Sequence, residues 1–358
     1  MKADREQILQ LKKQELEILA DFQKELCQAP RLVSLFLELT LRCNENCMHC
    51  GSRCGESKSE ELSKETYVAL LDQVKKDFKI LPMLCITGGE PLLRKDFFDI
   101  LNYAKELGFS WGMTSNATLI TEEIAQNLKM AGMKTVSVSI DGPREIHDTF
   151  RRTVGGYDKA MEGIRNLTKQ QFQDVQITTV VTKYNIDHLD ELFEEILKVD
   201  VDSWRLLGIE PIGRALDHPE LMLSMDEHIR LLDFIREKRA QGYPVLYGCS
   251  HYLGLEYERE VRDWYFLCNA GVYTASVMAN GDIGACLDIE RRPETIQGNI
   301  KNDNLKDVWE NRFEIFRTPN YLKSSKCAEC EDAKFCRGGA YHSWDYDRNE
   351  QRVCFRNR

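Results

Sequence analysis

A chain of 358 residues, 42% hydrophobic and 30% charged, has the composition of an ordinary soluble globular protein with room for one large domain or two moderate ones. A formal charge of −10 and a pI near 5.4 lack the basic footprint of a nucleic-acid partner, and the longest apolar runs are strand length, short of a membrane span. The start of the chain has no signal-peptide core, which predicts a cytoplasmic protein, and in a reducing compartment clustered members of its 13 cysteines point to metal rather than disulfides.

Residues 6–28 read as an amphipathic helix with Ile8, Leu11, Ile18, Leu19, Phe22 and Leu26 on one face, interrupted by Glu15. The apolar run 33–39 reads as a buried strand and leads directly into Cys43, Cys47 and Cys50. A strand that delivers a loop at its carboxyl end puts it where open α/β sheets and barrels build their sites. Three close thiolates can hold three irons of a four-iron cluster and leave the fourth open to a small chelating ligand. With Cys54 as a fourth ligand they could also be a zinc site.

Ser63 is placed to cap the next helix, with Leu62 and Tyr67 as a hydrophobic staple. Tyr67, Leu70, Leu71, Val74 and Phe78 follow at helical spacing. Strand patterns then recur at 83–87, 109–114, 135–140, 175–181 and 203–207, and helical patterns at 122–130, 159–169, 189–197 and 225–238. Counted from residue 33 to about 240 these make six βα units, which predict parallel strands with helical crossovers.

The strand ends carry the chemistry. The second closes on Gly88-Gly89-Glu90-Pro91, where the absence of a Cβ lets backbone approach a ligand; a simple turn is the alternative. Ser115 and Asn116 follow the third. In the fourth, Ser137, Ser139 and Asp141 share one parity and Val136, Val138 and Ile140 the other, so alternation turns a polar set toward a cavity. His147 reads as a structural histidine, and Arg151 or Arg152 as a carboxylate holder or a solvated charge.

After about residue 245 long helical patterns give way to short segments and cysteines return. Asn280-Gly281-Asp282 reads as a hairpin turn, placing Cys268 and Cys286 near opposite arms of a small ribbon. Cys327, Cys330, Cys336 and Cys354 suffice for one metal site, and their spacing suits zinc as well as iron–sulfur.

Cys43-x3-Cys47-x2-Cys50 resembles the signature of radical S-adenosylmethionine (SAM) enzymes, and Gly88-Gly89-Glu90-Pro91 resembles their GGEP motif. The later cysteines resemble the C-terminal SPASM extension of that family, except that Ala340 stands where its pattern has a cysteine. The resemblance implies an α/β fold: an N-terminal helix (1–32), a partial (β/α)6 TIM-like barrel (33–240) and a small cysteine-rich α+β SPASM-like domain (241–358).

It also implies the cofactors, which are SAM, a [4Fe-4S] radical SAM cluster on Cys43, Cys47 and Cys50, and one or two auxiliary iron–sulfur clusters. SAM contacts would come from Gly88, Gly89, Glu90, Ser115, Asn116, Ser139, Arg151 and Leu206. Cys327, Cys330, Cys336 and Cys354 would fill the second auxiliary site. Cys268 and Cys286 would belong to the first, with Cys249 the best further ligand and Asp282, Asp288 or His251 behind it.

The implied reaction is reductive cleavage of SAM to a 5′-deoxyadenosyl radical that abstracts hydrogen from the substrate. An auxiliary cluster would take up the electron, and Asp288 is the candidate general base. The expected substrate is a peptide or small protein, as for a ribosomal-peptide maturase of cross-link or thioether type; a tetrapyrrole-modifying enzyme and a sulfatase-type maturase are the alternatives. Outside enzymes, the alternative is a metal-binding scaffold. Expected partners are a flavodoxin or ferredoxin reductant and, because no leader-binding domain precedes the first strand, a separate leader-peptide-binding protein.

Overall fold

The computed structural model describes residues 2–56 and 61–356. After α1 (Lys2–Gln28) and β1 (Ser34–Glu38), strands and helices alternate: α2 (Lys64–Asp77), β2 (Met83–Thr87), α3 (Phe97–Glu106), β3 (Trp111–Ser115), α4 (Glu122–Met130) and β4 (Met133–Ser139). The series continues with α5 (Arg144–Arg151), α6 (Gly156–Thr168), β5 (Asp174–Val181), α7 (Leu189–Ile196), β6 (Ser203–Gly208) and α8 (Met225–Ala240). The starts of the helices are written locally: Ser63 and Thr121 accept from the backbones of Thr66 and Ile124, and Ser224 closes a capping box with Glu227.

β1 to β6 lie side by side in sequence order and parallel. Right-handed crossovers between neighbours put the helices on one face and leave the other free of them. The strands obey that division. Val175, Ile177, Thr179 and Val181 of β5 are buried, while Gln176, Thr178 and Val180 on the other face are only partly so.

The sheet does not stop at β6. β7 (Val245–Tyr247) pairs with β6 in parallel, and β8 (Thr274–Val277) pairs with β1 in parallel at the opposite edge. β9 (Asp282–Gly284) and β10 (Gly298–Asn299) add antiparallel, giving ten strands. The expected hairpin is β8–β9, with Gly281 at φ +97° in its turn. Beyond it come α9 (Leu305–Asn311), α10 (Glu314–Arg317), α11 (Ala333–Cys336) and the small pair β11 (Trp344–Asp345) and β12 (Glu350–Gln351). We propose the boundaries after residues 32 and 240 as divisions between cofactor fields, since residues on both sides of 240 share one sheet.

α1 forms as expected but presents another face. Leu16, Leu19, Ala20 and Leu26 are buried with Lys12 and Gln23, while Ile8, Leu11, Ile18 and Phe22 are exposed. The buried stripe packs on Tyr252, Tyr265, Phe266 and Phe335. Lys12 joins it because its ammonium reaches Glu260 at 2.6 Å, so a charged residue sits where an apolar count sees none. Among the described residues no helix is long and apolar enough to cross a membrane.

Candidate active site

The loop after β1 carries Cys43, Cys47 and Cys50 and is held by two buried arginines. Arg214, from the loop after β6, donates to the Cys47 carbonyl at 2.6 Å, the Cys54 carbonyl at 2.7 Å and the Glu56 carboxylate at 2.6 Å. Arg151 of α5 donates to Glu45 at 2.7 Å and to Asp141 at 2.8 Å. β2 supplies the third support: Gly89 and Glu90 donate their N–H groups to the Thr40 and Arg42 carbonyls at 2.8 and 2.9 Å.

The glycines are explained by that contact. A Cβ at Gly89 would lie 2.1 Å from the Arg42 carbonyl oxygen, and one at Gly88 2.3 Å from that of Thr40. The backbone they allow to come close is the cysteine loop itself. Gly89→Ala must therefore displace backbone, an overpacking cost of about 1–3 kcal/mol. The expected result is a lower melting temperature and a selective loss of iron from this loop, read by thermal melts and iron per chain. An unchanged iron content would show that the loop adapts.

Hydrogen bonding from Cys54 outweighs burial and brings Cys50 down to about 6, with Arg214 assisting. Burial pushes Cys43 up to about 11 and Cys47 well above its ordinary value. A bound metal would deprotonate such thiols outright, and the nearby charges of Arg151 and Arg214 favour the thiolates of Cys47 and Cys50. Thiolates are what iron–sulfur clusters are held by, so the loop fits one. Among the described residues no three His, Cys, Asp or Glu side chains are set for a single metal ion. A polynuclear cluster holds its cysteines farther apart than one ion does.

The residues assigned to SAM divide. Ser139 lies on the helix-free face, half-buried, as alternation requires. Leu206 does not: it is fully buried in the core between sheet and helices, and its neighbours Arg205 and Leu207 have the inward parity. Glu90 is wholly buried, its carboxylate taken by the Ser115 hydroxyl at 2.9 Å and the N–H groups of Asn116 at 2.9 Å and Leu92 at 3.3 Å. Burial pushes it up to about 7.

The side chains of Glu90 and Ser115 are thus spent on each other, tying the Gly-Gly turn to the loop after β3. Asn116 is spent similarly, donating to Asn44 of the cysteine loop at 2.9 Å. Arg151 is paired twice with buried carboxylates and is not free for a ligand. His147 accepts from the Asp141 N–H at 3.1 Å and is fully buried, and burial takes it down to about 3.

The later cysteines gather in two places. Cys327, Cys330, Cys336 and Cys354 line one cavity, and burial, reinforced by Cys354 and Cys327, pushes Cys336 up to about 12. Cys249 follows β7 at one sheet edge, while Cys268 precedes β8 and Cys286 follows β9 at the other. Solvent reaches Cys249, yet burial pushes it up to about 11 and Asp288 and Cys268 act on it, as for a side chain lining a hollow. Cys286 Sγ lies 3.9 Å from Asp288 Oδ2. Thiols from both edges therefore feel one another, and the sheet curls until its edges approach.

Ala340 is fully buried in the apolar cluster of Leu16, Leu19, Phe266 and Phe335, on which Cys268 and Cys336 also pack. His251 instead faces Glu210 at 3.1 Å. Two residues of the site have no motif to mark them. Arg214 follows Gly213, where a Cβ would lie 2.2 Å from the Gly51 carbonyl oxygen, and a glycine beside an arginine was the one signal available. Arg205 stands on the inward face of β6.

The sequence model of the radical SAM superfamily matches residues 37–196, and that of the SPASM iron–sulfur cluster-binding domain residues 268–331. An AdoMet-dependent heme synthase of Methanosarcina barkeri is 31% identical over 329 residues, 87% of this chain and 91% of that protein. The mycofactocin maturase MftC of Mycolicibacterium smegmatis is 31% identical over 313 residues, 86% of this chain and 77% of that protein. Among solved structures, anSMEcpe with bound AdoMet superposes with a TM-score of 0.73 at 20% identity, over 91% of this chain and 94% of that one. Streptococcus suis SuiB bound to S-adenosylmethionine gives 0.71 at 20%, over 90% and 77%. At that identity the two structures speak for the fold, a partial barrel.

Proposed function

The chain belongs to the radical SAM superfamily and carries a SPASM iron–sulfur cluster-binding domain, and on that footing we propose that this radical SAM enzyme oxidises a peptide or small protein. Its cofactors are S-adenosylmethionine and iron–sulfur clusters, which when bound supply the electron transfer and hydrogen abstraction that oxidise an unactivated carbon. We assign Cys43, Cys47 and Cys50 to the SAM-binding cluster and Cys327, Cys330, Cys336 and Cys354 to one auxiliary cluster. Cys249, Cys268 and Cys286 are assigned to another.

One observation carries the reading. The cysteine loop stands at the end of β1, and the Cys249–Cys268–Cys286 group lies where the sheet's edges approach. Between them runs the helix-free face with Thr114, Ser137, Ser139 and Thr178. A substrate on that face has a hydrogen acceptor on one side and an electron acceptor on the other. Gly88 and Gly89 set the loop, Ser139 would contact SAM, and Asp288 beside Cys286 would take the substrate proton. A flavodoxin or ferredoxin would supply electrons, and a separate protein would present the peptide's leader.

Peptide oxidation is supported by the mycofactocin maturase relatives. A tetrapyrrole substrate is the second reading, supported by the heme synthase relative and by a cation, Arg205, on the inner face. The reconstituted, reduced enzyme should remove hydrogen, by mass spectrometry, from a short peptide encoded beside its gene, with SAM cleavage in step. Conversion of iron coproporphyrin III with a Soret shift, and of no peptide, would replace the first reading by the second.

A further inference from the structure

Among the ionised side chains of the inner face, Arg205 is distinct. Glu38, on the same face of β1, is nearly fully buried and takes the Arg291 guanidinium at 2.6 Å, the Ser52 hydroxyl at 2.6 Å and the Ala279 N–H at 3.0 Å. Asp141 is paired with Arg151. Arg205 has no carboxylate within ion-pair distance among the described residues. One Nη donates to the Thr178 hydroxyl at 3.2 Å and, weakly, to that of Ser137 at 3.4 Å. Its Nε is buried and bonds to nothing among the described residues. Asp174, at the start of β5, feels its charge only at range, and Asp202 spends an oxygen on the Val175 N–H at 2.7 Å.

Leaving a partly buried guanidinium without an anion has a cost. Its surroundings are built to orient it. The Ser137 and Thr178 hydroxyls meet at 2.6 Å on adjacent strands and fix the fork from below. Trp204 and Leu206, on either side of it in β6, are locked in the core, so the strand cannot turn it away. Thr114, across the same face, is exposed, so the space before the fork is open. The charge also reaches Cys249, so Arg205 stands between Ser139, two strands away on the same face, and the auxiliary thiols.

We propose that Arg205 anchors a carboxylate of the substrate, so that the molecule oxidised here carries a free carboxylate close to the reacting carbon. This rests on the reading that the substrate lies on the helix-free face. A planar guanidinium with its second Nη uncommitted and its Nε without a partner suits a carboxylate. That chemistry is shared by a peptide's C-terminus and a propionate side chain. A primary amide offers the same shape without the charge.

The test needs no knowledge of the substrate. The reconstituted enzyme is treated with phenylglyoxal with and without SAM, and labelling of Arg205 is mapped by mass spectrometry. Competitors are N-acetylglycine, propionate and the corresponding amides. Labelling with SAM bound, and protection by an acid but not by its amide, is the expected result; the acid that protects better separates a peptide terminus from a propionate. Protection by SAM alone would assign Arg205 to the cofactor's own carboxylate and overturn the proposal. Equal protection by acid and amide, or no labelling at all, would overturn it too.

Whichever substrate turns over, Arg205→Gln should raise its KM at least about tenfold and Arg205→Lys less, the loss of one charge-assisted fork. An unchanged KM in Arg205→Gln would count against the anchor. If peptides fail as substrates but acid-selective protection persists, the anchor stands and only the substrate class changes. If peptides turn over without such protection, the anchor alone is lost.

Discussion

Changing Cys43, Cys47 and Cys50 together to alanine is expected to abolish SAM cleavage and remove about four irons per chain, leaving the later cysteines loaded. The three side chains are short, and the loop's backbone is set by Arg214, Arg151 and the Gly88-Gly89 turn rather than by the thiols. The variant should therefore fold. Iron and sulfide per chain after anaerobic reconstitution measure the result, beside a second variant with Cys249, Cys268 and Cys286 changed to alanine. Wild type should carry more than about eight irons if both auxiliary sites fill. A second variant that binds as much iron as wild type would remove Cys249 and its neighbours from the cluster ligands, and with them the electron acceptor. Zinc in the later field would do the same for Cys327, Cys330, Cys336 and Cys354.

The βα series was legible because its strands and helices bury one face each, and a period of two or of 3.6 residues is written in the chain. Strand β2 and helix α4 fall on the residues that the periodicity marks. The edge strands were not legible. β7 and β10 are three and two residues long, too short for any period, and exist because an edge is there to receive them. In α1 the count of apolar residues chose the wrong stripe, since the true one contains a buried glutamine and a lysine made acceptable by a partner more than two hundred residues away.

The site shows the same division. Cysteine spacing and the Gly-Gly turn are local signals and were visible. Which way a side chain points is not carried by a motif. For Leu206 the family resemblance gives only a place at the end of the sixth strand, whereas the parity of β6, Trp204 and Leu206 outward and Arg205 inward, tells which way it points. Glu90 and Ser115 carry the right chemistry for a ligand, yet each is the other's nearest partner. Arg205 drew no notice because an arginine in a strand is ordinary until the carboxylates around it are found paired elsewhere.

Arg151→Met is expected to destabilise the protein by about 3–5 kcal/mol, because it leaves two buried carboxylates facing each other without a cation. The side chains of Glu45 and Asp141 are each 1% exposed and share the one guanidinium, at 2.7 Å from both. The melting temperature should fall by roughly 5–10 °C. The pH dependence identifies the cause. Burial pushes the Asp141 carboxyl up, but the Arg151 charge, together with His49, His147 and the Val180 N–H, outweighs it and the group ends below its ordinary value. In the wild type that pair contributes stability above the unfolded pKa of about 3.9, lost as pH falls through the lower folded value. Without Arg151 the largest of the effects that lower Asp141 is gone and burial moves the group up, so protonation relieves the variant. Its deficit against wild type should therefore shrink as pH is lowered from about 7.5 to about 5, and adding Asp141→Asn and Glu45→Gln should restore much of the loss. A deficit that stays constant with pH, and that the triple variant keeps, would mean that Arg151 matters for its packing and not for its charge.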